Sequence, residues 1–261
     1  MRALRIAATG MEAQQMRVEV IANNLANMNT TAYNARRVEF ADLHYQQVAR
    51  PGTVNAADGS VLPTGVQLGL GVRAASVSMD VAQGALEQTG NELDVAIDGA
   101  GYVEILLPSG QSAYTRDGAF KRTGEGVLVN SDGYEVQPQI VIPDDARSIS
   151  INGAGEVYAY FLNQVDGQNL GQISLTSFSN QKGLEAIGGN LYLETEASGA
   201  PVSGDPGVDG RGTLRQGFLE ESSVDPVRAI TELIEAQRGY ELNAKVITAA
   251  DQMLGATTQI R

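Results

Sequence analysis

The stretch MRALRIAATGMEAQQMRVEVIANNLANM, residues 1–28, decides the fold. Within it Leu4, Ala7, Met11, Gln14, Val18, Ile21, Leu25 and Met28 recur at alternating steps of three and four. That spacing is the narrow seam of helices packed on helices, not the broad apolar face of a helix laid on a globule. The far end of the chain repeats it, with Ile230, Leu233, Gln237, Tyr240, Ala244, Ile247, Asp251 and Leu254 at the same steps. Neither segment covers its seam alone, so each needs the other terminus or copies of it in neighbouring molecules. The expected architecture is α+β. Terminal helices form a discontinuous coiled-coil domain, an antiparallel mainly-β domain is inserted between them, and an extended β-hairpin serves as connector.

Glycine separates the zones. Of 30 glycines, 27 lie in residues 51–219 and only Gly10, Gly239 and Gly255 lie outside, which leaves the flanks free to be helical and the middle free to turn. Asp58-Gly59, Asp98-Gly99, Asp117-Gly118, Asp132-Gly133, Asn152-Gly153, Asp166-Gly167 and Asp209-Gly210 supply the left-handed conformations that tight hairpins demand. Between them lie β-prone runs at 102–107, 127–130, 139–142, 148–151, 157–161, 173–178 and 191–193. The expected division is 1–30 with 224–261 as the helical domain, 31–95 with 195–223 as connector, and 96–194 as the β domain. The polar, Gly/Pro-bearing stretch 46–71 is too long for an ordinary connection and reads as a projecting hairpin. Residues 198–213 (SGAPVSGDPGVDGRGT) read as a linker.

Charge and composition exclude several functions. The net charge of −13 is concentrated in the middle: residues 1–50 carry +2, residues 51–219 carry −12 and residues 220–261 carry −3. An acidic body argues against nucleic acid, whose footprint is a basic stripe. The chain has no cysteine, which excludes disulfides, thiolate metal sites and cysteine nucleophiles. No secretory leader opens the chain and no apolar run approaches the roughly 20 residues of a membrane span, so neither Sec export nor membrane insertion is expected. His44 is the lone histidine, and without a Gly-x-Ser-x-Gly elbow it reads as a surface or packing residue rather than a catalyst. The adjacent acids Asp144-Asp145 and Glu220-Glu221 point apart instead of converging on a cleft. Gly69-Leu70-Gly71-Val72-Arg73-Ala74 matches a loose dinucleotide fingerprint, yet Val72–Met79 reads as strand where a helix is required. No cofactor, metal or catalytic residue is expected.

The least ordinary local feature is ANNLAN at 22–27. Asparagine is a poor helix former because its side chain competes for backbone hydrogen bonds. Asn23 and Asn27 share a face, as do Asn24 and Asn27. Two readings stand side by side: a fraying helix end, or amides that bridge neighbouring chains in a packed tube.

These residues also carry a resemblance. The segment 1–40, with ANNLAN as hallmark, resembles the N-terminus of the bacterial flagellar rod and hook family, and RGYELN at 238–243 followed by TAADQML at 248–254 resembles its C-terminus. SAYTRDGAF at 112–120, NLYLET at 190–195, SGAP at 198–201 and LPTGVQLGLGVR at 62–73 resemble the distal-rod branch of that family. Gly239 stands where the family pattern leads us to expect alanine, at a cost of roughly 1 kcal/mol in helix propensity. The resemblance implies that Leu4, Met11, Val18, Ile21, Leu25, Met28, Ile230, Leu233, Tyr240, Ala244, Ile247 and Leu254 are assembly seams lining an axial tube. Asn23, Asn24 and Asn27 are then the family motif, and the β domain faces outward. It further implies a self-assembled helical polymer in the periplasmic space of the flagellar basal body. Subunits would pass unfolded through the flagellar type III export apparatus without a cleaved signal peptide. The implied partners are proximal rod proteins, the hook protein and the surrounding P and L ring proteins. The extra sequence at 46–65 is implied to stiffen a rod where a hook bends. The alternatives are a proximal-rod or hook subunit of the same family and, from a different class, a secreted enzyme acting on cell-wall glycan.

Overall fold

A computed structural model describes residues 2–49, 64–162 and 166–259. The chain divides into two contact-dense units. One holds both terminal helices and the described part of residues 36–79; the other holds residues 27–35 and 80–224. The α+β expectation holds in its coarse form: two terminal helices flank a middle built of antiparallel strands.

In the first unit, α1 (Arg2–Ala26) and α2 (Pro226–Gln259) pack along one another. Asp225 starts α2, its carboxylate accepting the amides of Val227 (2.9 Å) and Arg228 (3.2 Å), while Pro226 sits at the first helical position. A two-stranded antiparallel ribbon, Arg36–Asp42 with Val72–Met79, packs on α1, and a second, Tyr45–Ala49 with Val66–Gly69, continues from it. The first ribbon meets the helix at Gly71 (φ +122°), where an added Cβ would collide with the Thr9 hydroxyl. That hydroxyl donates to the Ile6 carbonyl (2.8 Å) and accepts the Val72 amide (3.4 Å). The stem of the expected hairpin is therefore paired, but residues 50–63, most of the stretch expected to project, lie outside the described residues.

The second unit is the β body. Its largest sheet runs in the order 185–188, 191–193, 112–115, 102–106, 135–137, 128–129 and 121–122, with 175–177 pairing both 102–106 and 202–204. A three-stranded sheet (146–151, 156–161, 168–172) and the pairs 213–216 with 95–98 and 218–220 with 86–88 complete it. Ile97, Phe120, Leu128, Ile140, Ile142, Val157, Ile173 and Leu175 fill the core at 2% exposure or less. Of the β-prone runs, 139–142 differs from expectation. Ile140 and Ile142 are buried and hydrogen-bonded to Leu128 and Gly126, yet the only bridge there is Val127 with Val141.

The expected linker at 198–213 is instead part of the body. Val202–Gly204 pairs with Leu175–Ser177, Ser198 is fully buried, and Arg211 is buried with its Nε on the Asp205 carbonyl (3.2 Å). Glycine and proline there shape ordered turns, which composition alone cannot tell from a flexible link. The strand 218–220 and residues 80–94 likewise belong to the body rather than to a separate connector.

Residues 27–35 form a strap on this body. Ala32 donates to the Glu220 carbonyl (2.8 Å), Asn190 Nδ2 to the Thr31 carbonyl (2.8 Å), and Ser223 to the Tyr33 carbonyl (3.0 Å). The segment after α1 and the segment before α2 are thus bonded side by side. Glu220 anchors them from beneath: its carboxylate accepts Arg116 Nε (2.9 Å) and the Gly84 amide (3.0 Å), and forms an ion pair with Arg116 Nη2 at 2.8 Å. Arg116 also donates to the carbonyls of Gly99 (3.1 Å) and Gly101 (3.0 Å), so both charges are buried and partnered.

Candidate assembly interface

The helix pair runs antiparallel: Gly10 faces Asn243, Gln14 faces Gly239, and Arg17 Nη2 lies 3.6 Å from Glu235 Oε2. On α1 the seam read from sequence falls toward covered positions. Ala7 and Ile21 are buried, and Leu4, Met11, Gln14, Val18 and Leu25 are half-buried. Met28 lies past the end of the helix and is 40% exposed. Ala13 is buried as well, a position the seam did not include.

On α2 the sequence seam and the covered face separate. Leu233, Ala244, Ile247 and Leu254 are half-buried, whereas Ile230 and Tyr240 are 47% and 44% exposed. The deepest positions are Ala229, Ala236 and Ala250, with Gly239 and Asn243 half-buried between them. These small residues were missed because hydropathy favours bulk, while close helix approach favours its absence. The signal was present as Ala229, Ala236 and Ala250 at near-heptad spacing.

A second stripe on α2 stays open. Val227, Ile230, Ile234, Leu242 and Val246 are 75, 47, 46, 62 and 48% exposed. Val227, Ile230 and Ile234 follow one another at helical spacing, and Leu242 and Val246 resume the row after the exposed Arg238. Beside it, a shallow groove of about 380 Å³ is lined by Gln15, Val18 and Glu19 of α1 and Gln237, Tyr240 and Glu241 of α2. The open ribbon strands add Tyr45, Val48, Val66 and Leu68, all more than 40% exposed.

The asparagine motif divides by role. Asn24 is buried; its Nδ2 donates to the Arg36 carbonyl (2.7 Å) and its Oδ1 accepts the Arg36 amide (2.9 Å). The amide acts as a one-residue strand partner, and it bonds its own chain where the tube reading had it reach a neighbour. Asn27 closes the turn after α1, accepting the Thr30 amide on its carbonyl and the Thr30 hydroxyl on Oδ1, both at 3.1 Å. Asn23 lies on the exposed side of the helix.

Among the described residues no group of three or more His, Asp or Glu side chains converges as a metal site, and no helix is long and apolar enough to cross a membrane. His44 is exposed between two strands. Among the perturbed groups in the body, burial pushes Tyr102 up to about 12, partly opposed by Arg116, pushes Tyr114 up to about 12, and raises the Asp117 carboxyl. Both rings stack edge-on against Phe178 at 5.8 and 4.8 Å, a packing role.

Two terminal helices with antiparallel strands between them in sequence are what the flagellar resemblance implies, and sequence comparison identifies the class as bacterial flagellar axial proteins. Residues 4–33 match the model of the flagella basal body rod protein, 96–159 that of the flagellar hook protein FlgE/F/G D1 domain, and 215–260 that of the flagellar basal body rod FlgEFG protein C-terminal region. The flagellar basal-body rod protein FlgG of Caulobacter vibrioides is 53% identical over 261 residues, covering all of both chains. That of Agrobacterium fabrum is 50% identical over 97% of each chain, and that of Borreliella burgdorferi 44% identical over 100% of this chain and 99% of its own. The chain belongs to the flagellar basal-body rod protein family.

Proposed function

We propose that this chain is a non-catalytic structural subunit of the flagellar distal rod. It self-assembles into a hollow helical drive shaft that transmits torque from motor to hook. The observation that carries this reading is the open stripe of α2, Val227 through Val246, beside a face already covered by α1. Exposed apolar side chains on both sides of Arg238 mark an interaction site, and a second copy offers the same side chains in return. The full-length likeness to basal-body rod proteins supports the same conclusion.

In this reading segments 1–30 and 224–261 form the coiled-coil wall of the tube, and the seam residues of both helices are its contacts. The ribbon leading into 46–71 lies across neighbouring subunits and resists the axial sliding that bending requires. Proximal rod proteins and the hook protein meet its two ends, and the P and L ring proteins surround it. The type III export apparatus delivers subunits to the periplasmic side.

The test is polymerisation. Purified chain should sediment as filaments visible by electron microscopy, and Ile234→Asp should remain monomeric with the β body's circular dichroism unchanged. An unpaired carboxylate in a buried seam costs several kcal/mol in every subunit. Filaments of normal length from Ile234→Asp at the same concentration would overturn the assignment.

A further inference from the structure

The two helices carry the same short pattern, glycine followed four residues later by an amide: Gly10 and Gln14 on α1, Gly239 and Asn243 on α2. Because the helices run antiparallel, each glycine lies under the other helix's amide. A Cβ on Gly10 would stand 2.9 Å from Asn243 Nδ2 and 3.0 Å from its Oδ1. A Cβ on Gly239 would stand 3.1 Å from Gln14 Cδ and 3.3 Å from its Cγ. Neither amide is idle filler. Gln14 is half-buried, and its Oε1 is wholly buried with no hydrogen-bond partner among the described residues.

We propose that these four residues form a reciprocal lock that sets the register of α1 on α2. Seams built from repeating three-four steps still overlay at every other position after a slip of one turn, so apolar packing alone discriminates only in part between registers. The lock does discriminate. Sliding one way sets Gln14 against Asn243 and Gly10 against Ile247. Sliding the other way sets Gly10 against Gly239, leaving a gap, and Gln14 against Glu235. A buried amide without a partner destabilises the native pair, and that is the known cost of a polar residue that specifies register. Gly239, where alanine would serve propensity better, is explained by the side chain opposite it.

The lock is a property of one chain, so its test is made on the monomer and does not depend on the assembly reading. The protein has no cysteine, which lets introduced pairs report register cleanly. Arg17→Cys with Glu235→Cys reads the native register; Arg17→Cys with Thr231→Cys reads the slip that brings positions 10 and 239 together. In the full chain the native pair should oxidise in strong preference. Adding Gly10→Ala and Gly239→Ala should lower the ratio of native to slipped cross-link by about fivefold or more, equivalent to the loss of one modest contact. Further addition of Gln14→Ala and Asn243→Ala should restore it. Gly255→Ala, whose Cβ would meet nothing within 4 Å, should leave the ratio unchanged while raising helix content. An unchanged ratio in the double-alanine variant overturns the lock. So does a parallel loss of both cross-links that the amide replacements fail to reverse.

Discussion

The β body and the helix pair bury their apolar side chains to very different depths. In the body, thirteen hydrophobic residues from Val95 to Leu214 form one cluster in which none is more than 6% exposed. Among the described helix residues Ile21 is the one large side chain that reaches that depth, while α2 leaves several apolar side chains open. Their ion pairs differ in the same way. Arg116 and Glu220 are 8% and 3% exposed, and Arg17 and Glu235 are 32% and 63% exposed. A closed core can hold its fold alone, whereas a half-covered helix pair takes much of its stability from what it meets. That division separates a unit with a closed core from one that leaves apolar side chains open.

The largest effect should come from removing the ends. Deleting residues 1–26, which spares the strap at 27–35, or residues 226–261 should leave a soluble β body with unchanged tertiary circular dichroism and abolish filaments. Filaments from either truncation would break the contrast outright. The next effect lies inside the body. Glu220→Ala leaves the Arg116 guanidinium buried without its carboxylate and frees the Gly84 amide. Urea unfolding of the body should therefore lose about 3–5 kcal/mol. A loss below about 1 kcal/mol would mean that Arg116 finds water, and the strap would not be anchored as described.

How much of this was legible in the sequence depended on which property each element uses. The helices and the antiparallel middle were legible because periodicity and Asp-Gly turns are local signals. The covered face of α1 was legible too, since Ala7 and Ile21 are both apolar and buried. On α2 the same criterion settled on Ile230 and Tyr240, because two apolar stripes share the helix and only packing tells which one α1 covers. Ala229, Ala236 and Gly239 lie inward through their small size, a quantity that hydropathy does not weigh. The linker reading of 198–213 failed because Gly, Pro and Asp mark turns whether or not the turn is bonded to a sheet. Asn24 was singled out as unusual, yet its partner, the backbone of Arg36, became visible only once the ribbon was placed on the helix.

Alkaline titration sharpens the contrast by a smaller margin. Burial holds Tyr102 at about 12 against an ordinary 10.0. Its raised folded value means that the unfolded chain ionises first, so the stabilisation is complete below pH 10 and lost as pH rises toward 12. The body should lose on the order of 2 kcal/mol over that window from this residue. Tyr102→Phe should flatten the decline, and because the hydroxyl has no hydrogen-bond partner among the described residues, the variant should be no less stable at pH 7. A steep alkaline decline that survives the substitution would move the effect to other groups.

The smallest effect should come from the exposed pair on the helices. Arg17 and Glu235 approach at 3.6 Å with the Glu235 side chain mostly in water and that of Arg17 about a third exposed, so ordering them offsets much of the attraction between them. Arg17→Ala and Glu235→Ala, singly and together, should give a coupling of less than about 1 kcal/mol in the monomer. Raising salt should shrink it further, since exposed charges are screened over about 10 Å at 0.1 M ionic strength. If the same cycle measured on filaments gives a clearly larger coupling, the pair has been taken out of water by a neighbouring copy, and the open flank of the helix pair is where that copy sits. If the coupling is equally small in both, the pair faces solvent in the filament too, and the covering must fall on the Val227–Val246 stripe.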